Sequence, residues 1–354
     1  MIRKLAISAV CAGLALSAPL AAQDEDVYIE DVLGESGVAE LRALEQRGLG
    51  LLQNGRIEEA EPVYREIVRI NREAMGERNP YTIFAVLDYA RVLTAAGRLD
   101  EADRAYVEGL TLARQVIGDR SPDTLDALSS YANLLMLRGE LQSAADMYGV
   151  TLRLRREVLG DWDRATITSM SDLADVLRLL GRAKEAEPLA EEALRRAEQL
   201  YGPDSPDRLE SIFVYTAVLN ALGRLEEAEP YYLLAIEITR NSPGEADGYL
   251  PRALSNYAVL LLDLYRAEEA EPYAAEALRV SRAYFGETDR TTVLARGNYA
   301  QALQELQREE EALPLLEQNL AVFRETLGER NPRTLFAMNN YAGGLIEVGR
   351  AEEA

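Results

Sequence analysis

Paired carboxylates recur along the chain, in "IEEAE" from Ile57, "LEEAE" from Leu225 and "REEEA" from Arg308. Two acids flanking one bond can hydrolyse a glycoside when one of them is desolvated in a cleft. Here the acids return at the start of the second helix-sized segment of successive units. There they complement the positive end of a helix dipole and are expected to face water. Nucleophilic and metal chemistry meets a harder obstacle. The sequence has no His, and its one Cys, Cys11, lies in the first 22 residues. Beyond them there can be no disulfide, no Cys or His metal site, and no Ser–His or Cys–His pair. No Gly-rich phosphate loop follows a strand-like segment, so no cofactor and no catalytic residue is assigned.

Lys plus Arg number 38 against 60 Asp plus Glu, a formal charge of −22. That balance repels nucleic acid and anionic membrane surfaces, which attract clustered cations. The opening "MIRKLAISAVCAGLALSAPLAA" has the layout of a secretory signal. Arg3 and Lys4 lead, an apolar run spans Leu5 to Leu16, and Ala21-Ala22 form a small-residue exit. Cleavage after Ala22 and export to the periplasm or medium are expected. The apolar run is too short to span a bilayer, and the lipoprotein alternative at Cys11 would cut it in half. Residues 23–35 read as an acidic flexible linker, with no stable membrane insertion expected after them.

From position 36 onward the chain is periodic. Stepping by 42 from Ala60 gives Ala102, Ala144, Ala186, Ala228, Ala270, Ala312 and Ala354, alanine eight times out of eight. Stepping likewise from Gly76 gives glycine seven times out of seven, through Gly328, and nothing is inserted or deleted. Such a period identifies a repeat architecture. Each repeat holds two helix-sized segments. Asn79, Ser121, Asp163, Ser205, Asp247, Asp289 and Asn331 precede the first, all residues whose side chains cap helix amides. Pro80, Pro122, Pro206 and Pro332 follow at the first helical position, where no amide is needed. Glycine closes most helices in the left-handed region; Tyr265 and Gln307 stand in its place twice and would carry a steric cost there.

A Tyr-Ala-x-x-Leu stripe, as in Tyr89-Ala90-x-x-Leu93 and Tyr299-Ala300-x-x-Leu303, puts bulky and small groups on one helix face, as core packing requires. Pro62, Pro188, Pro230, Pro272 and Pro314, one turn into the second helix, predict a delayed start or a slight bend. Pro243 should end its helix early, and Trp162 is expected to cover a repeat junction. The basic run "LRLRREVL" from Leu152 is read as an outward face paired with acids.

Tyr-Ala-x-x-Leu, then Gly, then Ala five residues on resembles the tetratricopeptide repeat, here 42 rather than 34 residues long. "GRIEEAEPVYREIVRI" and "LGERNPRTLFAMNNYAGGL" are similar to the long repeats of kinesin light chains and of many bacterial proteins. The resemblance implies an all-α fold, a right-handed α-solenoid of antiparallel helix pairs over residues 36–354. Seven pairs plus an unpaired last helix are expected, with a groove for protein or peptide segments lined by the first helices. Beside the stripe, Asn256, Asn298 and Asn340 match the family's groove asparagine, whose amide can donate to and accept from a peptide backbone. Asn133, Gln301 and Arg91 lie one turn on. Asp88, Asp172 and Asp175 in the N-terminal half favour a basic segment of the partner. The alternative for the asparagines is a polar filling of a solvated face.

Two functions of different class follow. One is a non-enzymatic, extracytoplasmic protein- or peptide-binding scaffold. The other is the recognition part of a larger enzyme, for example a caspase-like CHAT peptidase, with its catalytic domain beyond residue 354. The chain stops at Ala354, inside a repeat. Continuation, self-association through the open end, or fraying of the last helix are therefore the expectations there.

Overall fold

A computed structural model describes residues 25–244 and 248–354, with side chains given from position 32 onward. The proposed signal segment and the Asp247 cap lie outside the described residues. Among the described residues the regular structure is helical throughout, fifteen α-helices and one short 3₁₀ turn. They form two compact units that divide between Leu180 and Gly181.

The first unit holds α1 (Glu25–Gln53), α2 (Ile57–Met75), α3 (Pro80–Ala95), α4 (Leu99–Val116), α5 (Pro122–Leu137), α6 (Leu141–Val158) and α7 (Arg164–Leu179). The second holds α8 (Ala183–Tyr201), the 3₁₀ turn Pro206–Arg208, α9 (Leu209–Ala221), α10 (Leu225–Asn241), α11 (Leu250–Asp263), α12 (Ala267–Phe285), α13 (Arg290–Glu305), α14 (Glu309–Leu327) and α15 (Pro332–Glu347). Within each unit, consecutive helices pack on one another, giving an all-α solenoid of paired helices. The stretch read as a linker differs from expectation: it is helical from Glu25, and the break falls at Gly34, whose φ of 67° interrupts α1.

Caps start the first helices as their sequence requires. Asn79, Asp163, Asp289 and Asn331 each accept the amide two residues on at 2.8–2.9 Å. Ser121 instead turns its hydroxyl toward Asp123. In three repeats a threonine that the sequence reading passed over adds a hydrogen bond here, whereas its counterparts Thr124 and Thr166 are buried without one among the described residues. Thr292 and Thr334 donate to Gly286 and Gly328 carbonyls at 2.7 and 2.8 Å, and Thr82 donates to the Asn71 carbonyl at 3.2 Å. Tyr265 and Gln307 do take the left-handed conformation of their glycine counterparts, with φ of 59° and 60°. The internal prolines do not delay their helices: α2 begins at Ile57, five residues before Pro62. Helix α10 stops at Asn241, two residues before Pro243, because a residue ahead of proline is pushed out of the helical region. Trp162, expected over a repeat junction, is half exposed.

Packing joins the alanine series to the tyrosine stripe. Ala60, Ala102, Ala144, Ala186, Ala228 and Ala270 are wholly buried, as are Ala90, Ala132, Ala258 and Ala300 of the stripe. Close approach of paired helices depends on these small side chains.

The acidic phrases divide in two, which corrects the expectation that they are solvated throughout. The acid just before the alanine faces water and pairs with an arginine three residues back, as Arg56–Glu59, Arg224–Glu227 and Arg266–Glu269 do. The acid just after the alanine is a clasp between repeats. Glu61 accepts from the Tyr89 hydroxyl at 2.7 Å and pairs with Arg98 at 2.8 Å. Glu229 accepts from Tyr257 and pairs with Arg266, both at 2.9 Å. Asp103 takes the same place with Tyr131 at 3.0 Å and Arg138 at 3.1 Å. Burial raises the Glu61 carboxyl, and the Tyr89, Arg65 and Arg98 donors outweigh it, leaving the group below its usual value.

Among the described residues Arg91, Arg155, Arg196, Arg208 and Arg296 are buried, and two of them show how the chain accommodates such a charge. Arg155, from the run read as outward-facing, is buried and donates to Ser169 Oγ at 2.6 Å and to Asp126. Arg296 is 1 % exposed and occupies the place of Leu254 one repeat earlier. Its guanidinium donates to Asn319 Oδ1 at 2.8 Å and pairs with Glu287 at 2.5 Å.

Candidate peptide-binding face

The first-helix face beside the Tyr-Ala stripe carries different residue types in the two units. In the first unit the expected acids are already partnered. Asp88 pairs with Arg91 at 2.5 Å, and the buried Arg91 also reaches Ser130 Oγ at 3.3 Å. Asp175 pairs with Arg178 at 2.7 Å, Asp126 with Arg155, and Asp172 has an interaction partner of its own. Burial pushes the Asp88 carboxyl up to about 6 against the pull of Arg91. Arg91 is thus no exposed cation for a ligand, and these acids meet arginines of their own chain. Asn133 is half-buried, with no side-chain partner among the described residues.

In the second unit the face is built on α11, α13 and α15. Helix α13 packs directly against α11, and Gln304 of α13 donates to Glu347 of α15 at 3.3 Å. On α13 the solvent-facing stripe runs Leu294, Asn298, Gln301, Glu305, at spacings of four, three and four that hold one helix face. The same register gives Arg252, Asn256, Val259, Asp263 on α11 and Phe336, Asn340, Gly343, Glu347 on α15. Asn256 and Asn298 are half-buried, while Asn340 and Gln301 are exposed. None of these four amides has a side-chain hydrogen-bond partner among the described residues. Arg252 lies 4.1 Å over the Phe213 ring and pairs with Glu210 at 3.0 Å. The row one turn before the asparagines is apolar in two adjacent repeats: Leu294 is 48 % and Phe336 65 % exposed. That row was not assigned from sequence, although its signal was present: positions 42 and 84 residues before Leu294 hold Arg252 and Glu210.

The chemistry available is recognition. Unpaired amides can each donate and accept, and apolar side chains beside them can take up a hydrocarbon group. Among the described residues no group of three or more His, Cys, Asp or Glu is placed to hold a metal ion. No described helix is long and apolar enough to cross a membrane. A separate concavity of about 530 Å³ lies in the first unit, lined by Glu77, Asp103, Arg104, Val107, Glu108 and Leu112, without a comparable row of free amides.

Comparison with known proteins follows the same line. No curated protein matches the chain in sequence. Among solved structures, putative kinesin light chain repeats from Podosopora anserina align over 57 % of this chain and 97 % of theirs, at 21 % identity and a TM-score of 0.52. The apo form of RapI aligns over 86 % of both chains at 13 % identity and TM-score 0.59. NprR in complex with its cognate peptide NprX aligns over 88 % of this chain and 86 % of its own, at 14 % identity and TM-score 0.55. These likenesses concern the fold. The Tetratricopeptide repeat profile matches residues 39–115, 83–157, 163–241, 249–318 and 291–354, so the chain belongs to the tetratricopeptide-repeat family.

Proposed function

We propose that this protein is a non-enzymatic scaffold that binds an extended peptide segment of a partner on the first-helix face of its second unit, outside the cytoplasm. The observation that carries the reading is the row Asn256, Asn298, Asn340, whose side-chain amides have no hydrogen-bond partner among the described residues. A free side-chain amide on a regular 42-residue step matches a peptide backbone, which offers C=O and N–H in regular alternation. NprR, a protein of similar fold, is seen in complex with its cognate peptide, which supports peptide binding as a use of this fold. The signal-like first 22 residues support export. N-terminal sequencing of the secreted protein should begin at Gln23.

Peptides selected from a display library against residues 23–354 should compete for one site. Changing Asn256, Asn298 and Asn340 together to Ala should weaken them about 100-fold, at about 1 kcal/mol for each residue's lost hydrogen bonds. Unchanged affinity in a variant of unaltered helix content would remove the site.

A further inference from the structure

We infer that the face on α11, α13 and α15 selects a peptide of alternating apolar and basic residues, a cationic ligand for the second unit. The inference rests on the peptide-binding reading above and adds the identity of the side chains. It starts from what lies on each side of the asparagine row. One turn toward the helix N-termini are the exposed Leu294 and Phe336. Two turns toward the C-termini are Asp263, Glu305 and Glu347, all exposed.

At this register the first unit has no acid, only Ala95, Leu137 and Leu179, and the acids its first helices carry elsewhere on the face are neutralised within the chain. Asp88, Asp126 and Asp175 are held by Arg91, Arg155 and Arg178. Asp263 and Glu305 have no ion-pair partner among the described residues, and Glu347 meets only the neutral amide of Gln304. They also stand in the last turn of their helices, where the macrodipole is negative and an acid is disfavoured. Helix stability does not explain three acids at one register. A cation from outside does.

Geometry fixes the alternation. Along a helix axis the apolar row is about 6 Å from the asparagines and the acidic row about 10 Å beyond them on the other side, at 1.5 Å per residue. A peptide lying across the helices with its backbone on the amides sends successive side chains to opposite sides. One set meets Leu294 and Phe336; the other, if Lys or Arg, has the length to reach the carboxylates. Charge also argues against the other occupants of an exposed apolar face. A second copy would set these acids against an equally acidic chain, and an anionic membrane would be repelled by a protein of charge −22.

The test is fluorescence anisotropy with labelled heptapeptides on residues 23–354. One peptide alternates Lys and Leu, a second replaces each Lys by Gln, and a third keeps the first composition with Lys and Leu in separate blocks. The alternating peptide should bind about tenfold more tightly than the Gln peptide at low salt, and the block peptide should follow the Gln peptide. Asp263→Asn with Glu305→Gln and Glu347→Gln should abolish that tenfold preference and leave the Gln peptide unaffected. Glu226→Gln, Glu268→Gln and Glu310→Gln, the same charge change on the second helices, should preserve it. Equal binding of Lys and Gln peptides, or equal loss in both triple variants, overturns the cationic selection while the peptide site stands. Absence of binding by every peptide overturns the selection and the peptide site together. A dimer in sedimentation that the facing triple variant disrupts also overturns it, because a second copy would then be the occupant.

Discussion

The clasp at Glu61 offers the sharpest test of how the repeats are joined. Its carboxylate is 6 % exposed and takes the Tyr89 hydroxyl at 2.7 Å from the next repeat. Arg98, 38 % exposed, approaches at 2.8 Å, and Arg65, 62 % exposed, at 2.7 Å. A hydrogen bond to a charged acceptor contributes about 1.5–3 kcal/mol. Solvent screening leaves little to the two arginines at these exposures. Glu61→Ala should therefore cost about 2 kcal/mol, nearly all of it through Tyr89. Urea unfolding followed by circular dichroism measures this, and a cycle with Tyr89→Phe isolates the pair. The coupling should be about 1–2 kcal/mol. Glu59→Ala, which removes a partner of Arg56 with both side chains 57 % exposed, should leave the midpoint where it is. The pH dependence has a definite sign. The Glu61 carboxyl lies below its usual value in the folded protein, so its stabilisation is present above the unfolded value and disappears as pH falls through the folded one. A coupling indistinguishable from zero at pH 7, or one that grows on acidification, would refute the clasp as the joint between repeats.

Two further outcomes follow from the interior and from the turns. Arg296 sits where the preceding repeat has Leu254, with its guanidinium Nε lacking a partner. Arg296→Leu combined with Asn319→Ala, the residue one repeat earlier being Ala277, should raise stability by about 1–3 kcal/mol in urea unfolding, whereas Arg296→Ala alone should lower it by about 3 kcal/mol because Asn319 and a cavity are left behind. Tyr265 holds φ of 59° with 94 % of its surface exposed, so Tyr265→Gly relieves the left-handed strain at no packing loss and should raise stability by about 1 kcal/mol, read as a higher thermal midpoint.

The fold was legible because its framework repeats at the level of single atoms. An alanine at every forty-second position leaves room for one helix to approach another, and a capping oxygen ahead of each first helix has one evident use. The site was legible by position and less so by state. Sequence placed Asp88, Asp175 and Arg91 beside the Tyr-Ala stripe of the first helices, yet their pairing arises from i,i+3 contacts whose choice among several neighbours the sequence does not settle. Glu61 and Glu59 share one phrase but face opposite surroundings, because a step of two residues turns a helical side chain most of the way round. Arg155 looked outward for a similar reason: the run around it is amphipathic, and its partners Ser169 and Asp126 come from other helices.

The first-helix face therefore differs between the two units. In the first, Arg91, Arg155 and Arg178 pair with Asp88, Asp126 and Asp175, and burial holds Asp88 well above the usual carboxylate range. In the second, the face carries amides, the exposed Leu294 and Phe336, and three acids with no arginine partner among the described residues. The recurrent alanine positions from Ala60 to Ala312 are buried, where a change would alter packing in each unit. Surface positions that vary cost the fold little to change, as when Glu210, Arg252, Leu294 and Phe336 succeed one another at one register. In a solenoid whose stability is a sum over units and their interfaces, recognition can differ from unit to unit while the alanine framework stays the same. Selectivity in this protein is therefore to be sought at the variable, exposed register rather than in the invariant phrases that define the repeat.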